Sequence, residues 1–234
     1  MGDGVGVIEG GIVMEVLRPD REVIQGFLPL STATISDALD RFGLRGGCLG
    51  ILPIVPGAKM AGPAFTVRYV PVGEVKGTVG DYIDVAQPGD VIVLDNHGRM
   101  DCTVWGDILT VTAKLKKISG TVIDGVCRDV PNILKEQYPL FSRGRFMMTG
   151  KDRVMVEAVN VMVSIGSVQV KPGDILVGDD SGVVVIPKER APEILKVALE
   201  IEEAENSIED AVRKGLSIKE AREKYRYHSL QTKK

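Results

Sequence analysis

Two short polar motifs, separated by twenty residues, carry the side chains of this 234-residue chain that are best suited to chemistry. Gly106-Asp107 lies at the predicted start of a helix, and Arg128-Asp129 follows a predicted buried strand. The free amides of a helix's first turn attract anions, and glycine lets a ligand approach them closely. An arginine fork binds a carboxylate through two parallel hydrogen bonds, while aspartate oxygens hold hard divalent cations. Together the motifs predict a site for an anionic ligand, a carboxylate or an enolate, beside a metal ion.

Both motifs also have a structural interpretation that the local pattern leaves open. In this interpretation, Asp107 is no more than the N-terminal cap of its helix, and Arg128 and Asp129 form an ion pair within a loop. His97 is a weaker candidate, because the chain's other histidine, His228, lies in the C-terminal tail and not at ligand spacing. The carboxylates and thiols near the motifs are expected to have no chemical role: Asp95, Asp101, Cys102 and Cys127.

A strand–helix–strand unit is predicted to position the motifs. Apolar residues at steps of three and four indicate a helix over residues 107–118, with a buried stripe formed by Ile108, Val111, Leu115 and Ile118. Strand, helix and strand in this order favour a right-handed crossover, and ligands collect at the carboxyl ends of such strands. β-Branched runs bounded by glycine and proline predict the strands, over residues 64–72, 91–94 and 121–124.

Further helices are predicted near both ends of the chain, with a hairpin-rich region before the last one. An amphipathic pattern indicates a helix over residues 32–42, and runs broken by Gly and Pro indicate antiparallel strands over 154–186. The last helix, over residues 188–214, has an apolar stripe consisting of Ile194, Val197, Ile201, Ile208 and Val212. We therefore expect one mixed α/β domain over residues 1–187 and a helical arm over residues 188–234.

Composition and charge narrow the class of protein. Hydrophobic residues make up 44% of the chain and charged residues 26%, as in an ordinary globular domain. A net charge of −3 does not favour a nucleic-acid binder, which usually carries a basic excess. The three cysteines form no C-x-x-C pair, which favours a reducing compartment. Because neither a signal peptide nor an apolar run of about 20 residues is recognisable, we expect a cytoplasmic protein that is not bound to a membrane.

Several sequence blocks resemble, in the same order, those of the RraA-like family. They are STATISDALDRFG, GPAFTVRYV, WGDILTVTAKLKKISGTVIDGVCRDV and PGDILVGDDSGVVVIP. The family includes class II pyruvate aldolases that act on 4-hydroxy-4-methyl-2-oxoglutarate and 4-carboxy-4-hydroxy-2-oxoadipate, and shorter regulators of ribonuclease E activity. The resemblance implies a swivelling β/β/α-type domain that combines parallel and antiparallel sheets, with a C-terminal helical arm.

The aldolase members of the family carry a spaced motif: Asp, twenty residues, Arg-Asp, two residues, and then Glu or Asp. This chain matches it at Asp107, Arg128 and Asp129, but Asn132 replaces the final carboxylate. The amide oxygen of Asn132 still accepts a hydrogen bond, although it adds no negative charge near a metal ion. The departure bears on aldolase activity and not on membership of the family.

The resemblance also implies a role for each motif residue. Arg128 would hold a pyruvate moiety, Asp129 would anchor Mg²⁺ or Mn²⁺, and Asp107 would orient a metal-bound water for proton transfer. A Schiff-base route is not favoured, because none of the defined motif positions is a lysine. Lys114, which lies among the twenty residues between them, belongs to a solvated helix face. The carboxylate of the pyruvate moiety would bind the helix start, at Gly106, Asp107, Ile108 and Leu109.

Members of the family assemble as trimers or as pairs of trimers, so the resemblance implies a homo-oligomer with the site at a subunit boundary. The apolar stripe of the last helix needs a cover, which a neighbouring subunit would supply; folding back on its own domain is the alternative. Glu202 or Glu205 of that helix would then reach the neighbour's Arg128 and Asp129. Solvated charge on an amphipathic helix is the simpler interpretation of both glutamates.

These features predict a metal-dependent aldolase that cleaves a 4-hydroxy-2-oxo acid and releases pyruvate. Oxaloacetate decarboxylation passes through the same enolate and is expected as a side activity. The alternative is a non-catalytic regulator that binds a ribonuclease or another protein. The Arg-Asp pair with its upstream carboxylate favours the enzyme, because a regulator has no need of it. Asn132, in place of the motif carboxylate, favours the regulator. A methyltransferase is not expected, because no glycine-rich nucleotide loop follows the first strand.

Overall fold

A mixed β-sheet forms the centre of the molecule. The computed structural model describes residues 16–225 together with the strands at residues 6–8 and 11–13, so His228 and the rest of the expected tail lie outside it. The strands are, in chain order, β1 Gly6–Ile8, β2 Gly11–Val13, β3 Leu52–Pro53, β4 Met60–Pro71, β5 Val91–Thr103, β6 Gly120–Cys127, β7 Leu140–Arg145, β8 Val154–Val159, β9 Val163–Ile165, β10 Val168–Val170, β11 Ile175–Asp179 and β12 Gly182–Ile186.

Parallel and antiparallel pairing are combined in this sheet. Ten of the described strands join in the order β1-β2-β8-β4-β5-β6-β7-β3, with the hairpin β11-β12 attached through β4. Strands β4, β5, β6 and β7 are parallel, whereas β8 and β11 run antiparallel to β4. The antiparallel region predicted over residues 154–186 is confirmed as β8 and the hairpins β9-β10 and β11-β12.

Helices pack beside the sheet, and those predicted from the sequence are present. In the described part of the chain no helix is long and apolar enough to cross a membrane. The hydroxyl of Ser31 accepts a hydrogen bond from the Thr34 amide at 3.0 Å, which confirms that the helix predicted over residues 32–42 begins at Thr32. The α-helices are α1 Arg21–Phe27, α2 Thr32–Arg41, α3 Asp107–Leu115, α4 Val130–Glu136, α5 Ala191–Arg213 and α6 Ile218–Lys224, and 3-10 turns cover Asp81–Val85 and Lys188–Arg190.

The strands that lead to the site are longer than the apolar runs that predicted them. Strand β6 is buried along its whole length, from Gly120 to Cys127, because strands β5 and β7 flank it and helices cover it. Strand β5 continues past Leu94 to Thr103, with register shifts against β6 near Asp95 and Arg99. Polar residues in the extension of β5, and glycine at both ends of the predicted run in β6, ended the hydrophobic runs on which the prediction was based.

The predicted apolar stripe of α3 is wrong for Ile108, Val111 and Leu115, whereas its fourth member, Ile118, is buried just beyond the helix. Ile108 and Leu115 are 76% and 79% exposed, and the helix buries Thr110 and Ala113 instead. Small side chains let the helix lie close to the sheet, where the Trp105 indole donates a hydrogen bond to Thr110 Oγ1 at 2.9 Å. The helix also ends at Leu115 rather than at residue 118, because Lys117 adopts a left-handed backbone.

The last helix does not need a neighbouring subunit to cover the first half of its stripe. In α5, Ile194 and Ile201 are buried in the same cluster as Phe27 of α1 and Ile35 and Leu39 of α2. The expectation that the stripe lies on another subunit is therefore wrong for this half, which folds back on its own chain. Further along the helix, Val212 is 37% exposed. The division of the chain into a domain and an arm at residue 187 stays a prediction.

Candidate active site

The carboxyl end of β6 presents the Arg128-Asp129 pair. Strand β6 ends at Cys127, and the Arg128 amide donates to the carbonyl oxygen of Trp105 at 3.0 Å. Asp129 then adopts a left-handed backbone, with φ 56° and ψ 37°, as the residue that precedes α4. Aspartate tolerates this conformation better than most residues, and such strained positions concentrate at functional sites. The turn places both charged side chains at the edge of the sheet where ligands collect in α/β proteins.

The start of α3 meets this turn. The Asp107 amide donates to Asp129 Oδ2 at 3.2 Å, and the Ile108 amide donates to Asp107 Oδ1 at 2.8 Å. Two of the first-turn amides thus already bind carboxylates, as the partial positive charge of a helix start favours. Asp107 acts in part as a cap of its own helix, which was the structural interpretation of this residue.

Gly106 is required by close packing at this junction. A Cβ atom at this position would lie 2.6 Å from Asp129 Oδ2 and 3.3 Å from Arg128 Nε. Asp129 could not keep its present position beside such a Cβ atom and would have to leave the Asp107 amide, from which it accepts a hydrogen bond. The glycine predicted to let a ligand approach the backbone therefore also lets the two motifs approach each other.

An open cavity of about 370 Å³ lies between α3 and the 3-10 turn at residues 81–85. Its lining contains five of the predicted site residues, namely Gly106, Asp107, Ile108, Leu109 and Arg128. The volume suits a small organic acid. The structure thus brings the predicted carboxylate-binding residues to one cavity. Asp129 lines a second cavity, of about 320 Å³, that shares Arg128 with the first.

Arg128 and Asp129 form a partly solvated ion pair. Their side chains are 40% and 37% exposed, and Arg128 Nε lies 3.3 Å from Asp129 Oδ2. Because water screens the pair, it contributes little to stability. The contact uses the Nε edge of the guanidinium and not the Nη edge, so a bidentate contact with a ligand carboxylate remains geometrically compatible with it. This pairing is also the loop ion pair of the structural interpretation.

The donor set at the junction fits a weakly held, hard divalent cation. Asp107 and Asp129 supply carboxylate oxygens, and Mg²⁺ is typically held by one or two carboxylates with several waters retained. A dedicated protein cage is not present, since residues 16–225 contain no group of three or more His, Cys, Asp or Glu arranged to hold a metal ion. The main-chain amide of Asn132 donates to the main-chain carbonyl oxygen of Asp129 at 3.0 Å. Asn132, which replaces the motif carboxylate, therefore lies beside the junction.

His97, the weaker candidate, lies outside the two cavities, and the residues expected to have no chemical role lie outside them or are buried. His97 Nε2 lies 2.8 Å from the Tyr69 carbonyl, and its amide donates to Asp95, so the ring is held away from the cavity lining. Asp101 pairs with Arg99. Burial raises the pKa of Cys127 to about 11, and it raises the pKa of Cys102 as well, which makes either thiol a poor nucleophile.

Glu202 and Glu205 contact α2 of the same chain. Thr34 Oγ1 lies 3.0 Å from Glu202 Oε2 and 3.3 Å from Glu205 Oε2. Within one chain, both carboxylates therefore belong to the contact between α2 and α5. Their predicted approach to the Arg128 of a neighbouring subunit stays a prediction.

The cavity also includes residues that the sequence did not single out. Asp81 and Asp84 of the 3-10 turn and Thr112 of α3 line it, together with Thr149. Thr149 reaches the site because it forms a parallel bridge with Thr103 at the end of β5. Local sequence carries no signal for these positions, since only the tertiary fold brings them to the motifs.

Fold and site together define a mixed α/β protein with a carboxylate-rich cleft at the end of a parallel sheet. The family model described as RraA-like, Aldolase/RraA, matches residues 32–185. The chain therefore belongs to the RraA-like family, as the sequence blocks predicted. The matched region contains both motifs and covers most of the chain.

The chain is similar to proteins whose names indicate different functions. Protein DlpA of Legionella pneumophila subsp. pneumophila is 43% identical over 88% of this chain, which spans only 34% of DlpA. A Halalkalibacterium halodurans protein with the provisional name 4-hydroxy-4-methyl-2-oxoglutarate aldolase is 37% identical, over 76% of this chain and 82% of its own length. The solved structure of Streptomyces coelicolor RraAS2, described as an unusual member of the RNase ES inhibitor RraA protein family, has a TM-score of 0.75 at 32% identity, covering 82% of this chain and 98% of that one.

Proposed function

We propose that this chain is a divalent-metal-dependent lyase that cleaves a 4-hydroxy-2-oxo acid and releases pyruvate. The observation that carries the proposal is the junction of the two motifs, at which the Asp107 amide binds Asp129 Oδ2 beside Arg128. A cavity of suitable size opens at this junction. The provisional name of the Halalkalibacterium halodurans relative supports the same class of reaction.

The proposed reaction is a retro-aldol cleavage, which needs neither an oxidant nor a reductant. The 4-hydroxyl group loses its proton, the C3–C4 bond breaks, and the bonding electron pair passes into an enolate of pyruvate. Protonation of C3 then gives pyruvate, and C4 leaves as a carbonyl compound. In the proposed arrangement Arg128 binds the 2-oxo acid end and stabilises the charge that develops there. Asp107 holds a water through which the proton moves.

Asp129 is the residue that would hold the cation, Mg²⁺ or Mn²⁺, with waters completing its coordination, and Asp107 would orient one of those waters. When bound, the cation supplies a Lewis acid that stabilises the enolate oxygen. Oxaloacetate decarboxylation uses the same enolate, so we propose it as a side activity. The three described cysteines are buried and unpaired, which supports a reducing compartment such as the cytoplasm.

A homo-oligomer, as a trimer or a pair of trimers, belongs to the proposal. The exposed stripe of α3, defined as Ile108, Val111 and Leu115, supports it, because contiguous apolar surface marks interaction sites. Ile108 also lines the cavity, so a neighbour that covers the stripe would border the site. Glu202 or Glu205 of the neighbour is proposed to approach Arg128 in that assembly.

The second candidate is a regulator that binds a ribonuclease or another protein. Asn132 in the position of the motif carboxylate favours it, as does the description of the Streptomyces coelicolor structure. A protein-binding role would use the exposed α3 stripe and has no need of the Arg128–Asp129 junction. The two candidates therefore differ in which substitutions abolish function.

Pyruvate release from a panel of 4-hydroxy-2-oxo acids tests the proposal. Purified protein is assayed with a lactate dehydrogenase couple in Mg²⁺, in Mn²⁺ and in excess EDTA. We expect release with either cation and loss of release in EDTA. Trapping of pyruvate on a lysine by borohydride would instead establish a Schiff-base enzyme. Failure of all substrates, with tight ribonuclease binding that depends on α3, would establish the regulator.

A further inference from the structure

A second cavity adjoins the proposed active site and shares Arg128 with it. It has a volume of about 320 Å³ and is lined by residues 127–130 and 145–147. Arg128 lines both cavities, so its side chain forms a common wall. The proposed metal ligand Asp129 also lines it, whereas residues 145–147 have no part in the retro-aldol chemistry proposed above. The second cavity's position beside Arg128 suits the part of a substrate that extends beyond the 2-oxo acid end.

Arg145 is fixed beside the Arg128-Asp129 turn by the sheet. It is the last residue of β7, and it pairs in parallel register with Cys127, the last residue of β6. The next amide, that of Phe146, donates to the Cys127 carbonyl at 2.9 Å. The backbone of Arg145 is thus held one residue away from the proposed pyruvate-binding arginine. Its side chain is exposed at the cavity, as expected of a group that meets a ligand.

The chain segment after β7 borders both cavities. Arg145 and Met147 line the second cavity, and Thr149 lines the first. The segment is held over the site because the Thr103 amide donates to the Met148 carbonyl at 2.9 Å. A ligand that extends from the first cavity to the second past Arg128 would therefore run along this segment.

The charge in the second cavity suits an anion. Two guanidinium groups, those of Arg128 and Arg145, face a single carboxylate, that of Asp129. Asp129 is already engaged by the Asp107 amide and by Arg128 Nε. By contrast, the neighbouring Arg143 on β7 is paired with the buried Asp124. Arg145 is thus the arginine of this strand that is positioned to bind a ligand carboxylate.

We propose that Arg145 is a specificity-determining residue, which binds the distal carboxylate of a dicarboxylic 4-hydroxy-2-oxo acid in the second cavity. The inference rests on the proposed function and names its substrate class. The 2-oxo acid end occupies the first cavity, Arg128 lies between the two ends, and the distal carboxylate meets Arg145. A monocarboxylic acid of the same shape lacks this contact, so it binds more weakly.

Two matched substrates test the inference in a pyruvate assay. 4-Hydroxy-4-methyl-2-oxoglutarate carries the distal carboxylate, and 4-hydroxy-4-methyl-2-oxopentanoate has a methyl group in its place. Arg145→Gln is expected to lower kcat/KM for the first by about tenfold or more, mainly through KM, and to change the second less than about twofold. Arg145→Lys should restore part of the loss. Arg45→Gln, at an exposed arginine outside both cavity linings, is the control and should change neither.

An equal loss on both substrates, or no loss on either, would overturn the inference while leaving the proposed lyase intact. If the wild-type protein releases no pyruvate, the proposed function fails, and calorimetric binding of 2-oxoglutarate and 2-oxopentanoate decides on Arg145. Preference of the wild-type protein for 2-oxoglutarate, abolished by Arg145→Gln and kept by Arg45→Gln, supports the second cavity as a carboxylate site. Absence of that preference, or its persistence in Arg145→Gln, overturns it.

Discussion

The main-chain amide of Asp107 donates a hydrogen bond to Oδ2 of Asp129 at 3.2 Å, although the two residues lie 22 positions apart in the chain. This contact joins the start of α3 to the turn after β6 and so assembles the two polar motifs into one site. Asp129 Oδ2 also lies 3.3 Å from Arg128 Nε, so one carboxylate organises both partners. The proposed chemistry depends on this junction.

Gly106→Ala is expected to disrupt the junction without unfolding the protein. The added Cβ would meet Asp129 Oδ2 at 2.6 Å and displace it from the Asp107 amide. We expect pyruvate release to fall by about tenfold or more, since a displacement of about 1 Å can lower a rate by on the order of a hundredfold. Gly73→Ala is the control, because a Cβ there meets nothing within 4 Å. Wild-type turnover in the Gly106→Ala variant would refute the role of the junction.

Arg128→Lys is expected to lose far more activity than its conserved charge suggests. A lysine ammonium cannot reproduce the two parallel hydrogen bonds of a guanidinium with a carboxylate. The expected loss is about 2–3 kcal/mol of transition-state stabilisation, or on the order of a hundredfold in kcat/KM. Circular dichroism should show unchanged folding, because the side chain is 40% exposed. A near-wild-type kcat/KM would rule out Arg128 as the carboxylate ligand.

Leu115→Glu is expected to weaken the proposed oligomer. The residue is 79% exposed within one chain, so the substitution should change the stability of the isolated fold by less than about 0.5 kcal/mol. In an assembly that covers the α3 stripe, it would bury an unpaired charge. Sedimentation velocity should show dissociation for this variant and not for Val75→Glu, at a residue 76% exposed outside that stripe. An unchanged sedimentation coefficient would exclude the stripe as the interface.

The cysteines are expected to be unreactive in the folded protein. Burial raises the pKa of Cys127 to about 11 and that of Cys48 to about 12, from an ordinary value of 9.0. Both groups therefore stay protonated at pH 8, and their thiolate fraction grows only as the pH rises toward these values. Labelling with a disulfide reagent at pH 8 should be slow in the native state and fast in urea. Native-state labelling at the unfolded rate would contradict the buried placement of these thiols.

The site was predictable from the sequence to the extent that its chemistry is local. Gly106, Asp107, Arg128 and Asp129 are candidates because helix starts and strand ends leave signals in residue type and spacing. The contact between Asp107 and Asp129 was not predicted, since it depends on the left-handed backbone of Asp129 and on the packing of α3. The same holds for the cavity wall at Thr149, which tertiary pairing supplies.

Helix faces were predicted less well than helix positions. Hydrophobicity assigned Ile108 and Leu115 to the core, but α3 presents its small residues, Thr110 and Ala113, to the sheet. A large apolar side chain can equally lie on an exposed face that another protein covers, and the pattern cannot distinguish the two. For α5, the buried Ile194 packs against its own chain, which periodicity alone could not decide.

The stoichiometry and metal dependence of pyruvate release from 4-hydroxy-4-methyl-2-oxoglutarate test the central claim most directly. The wild-type protein is followed by proton NMR in Mg²⁺, after addition of excess EDTA, and after Mg²⁺ is restored. We predict two molecules of pyruvate for each substrate consumed, arrest in EDTA and recovery with Mg²⁺. Persistent absence of pyruvate in both Mg²⁺ and Mn²⁺, or turnover that continues unchanged in EDTA, would contradict a metal-dependent lyase on this substrate.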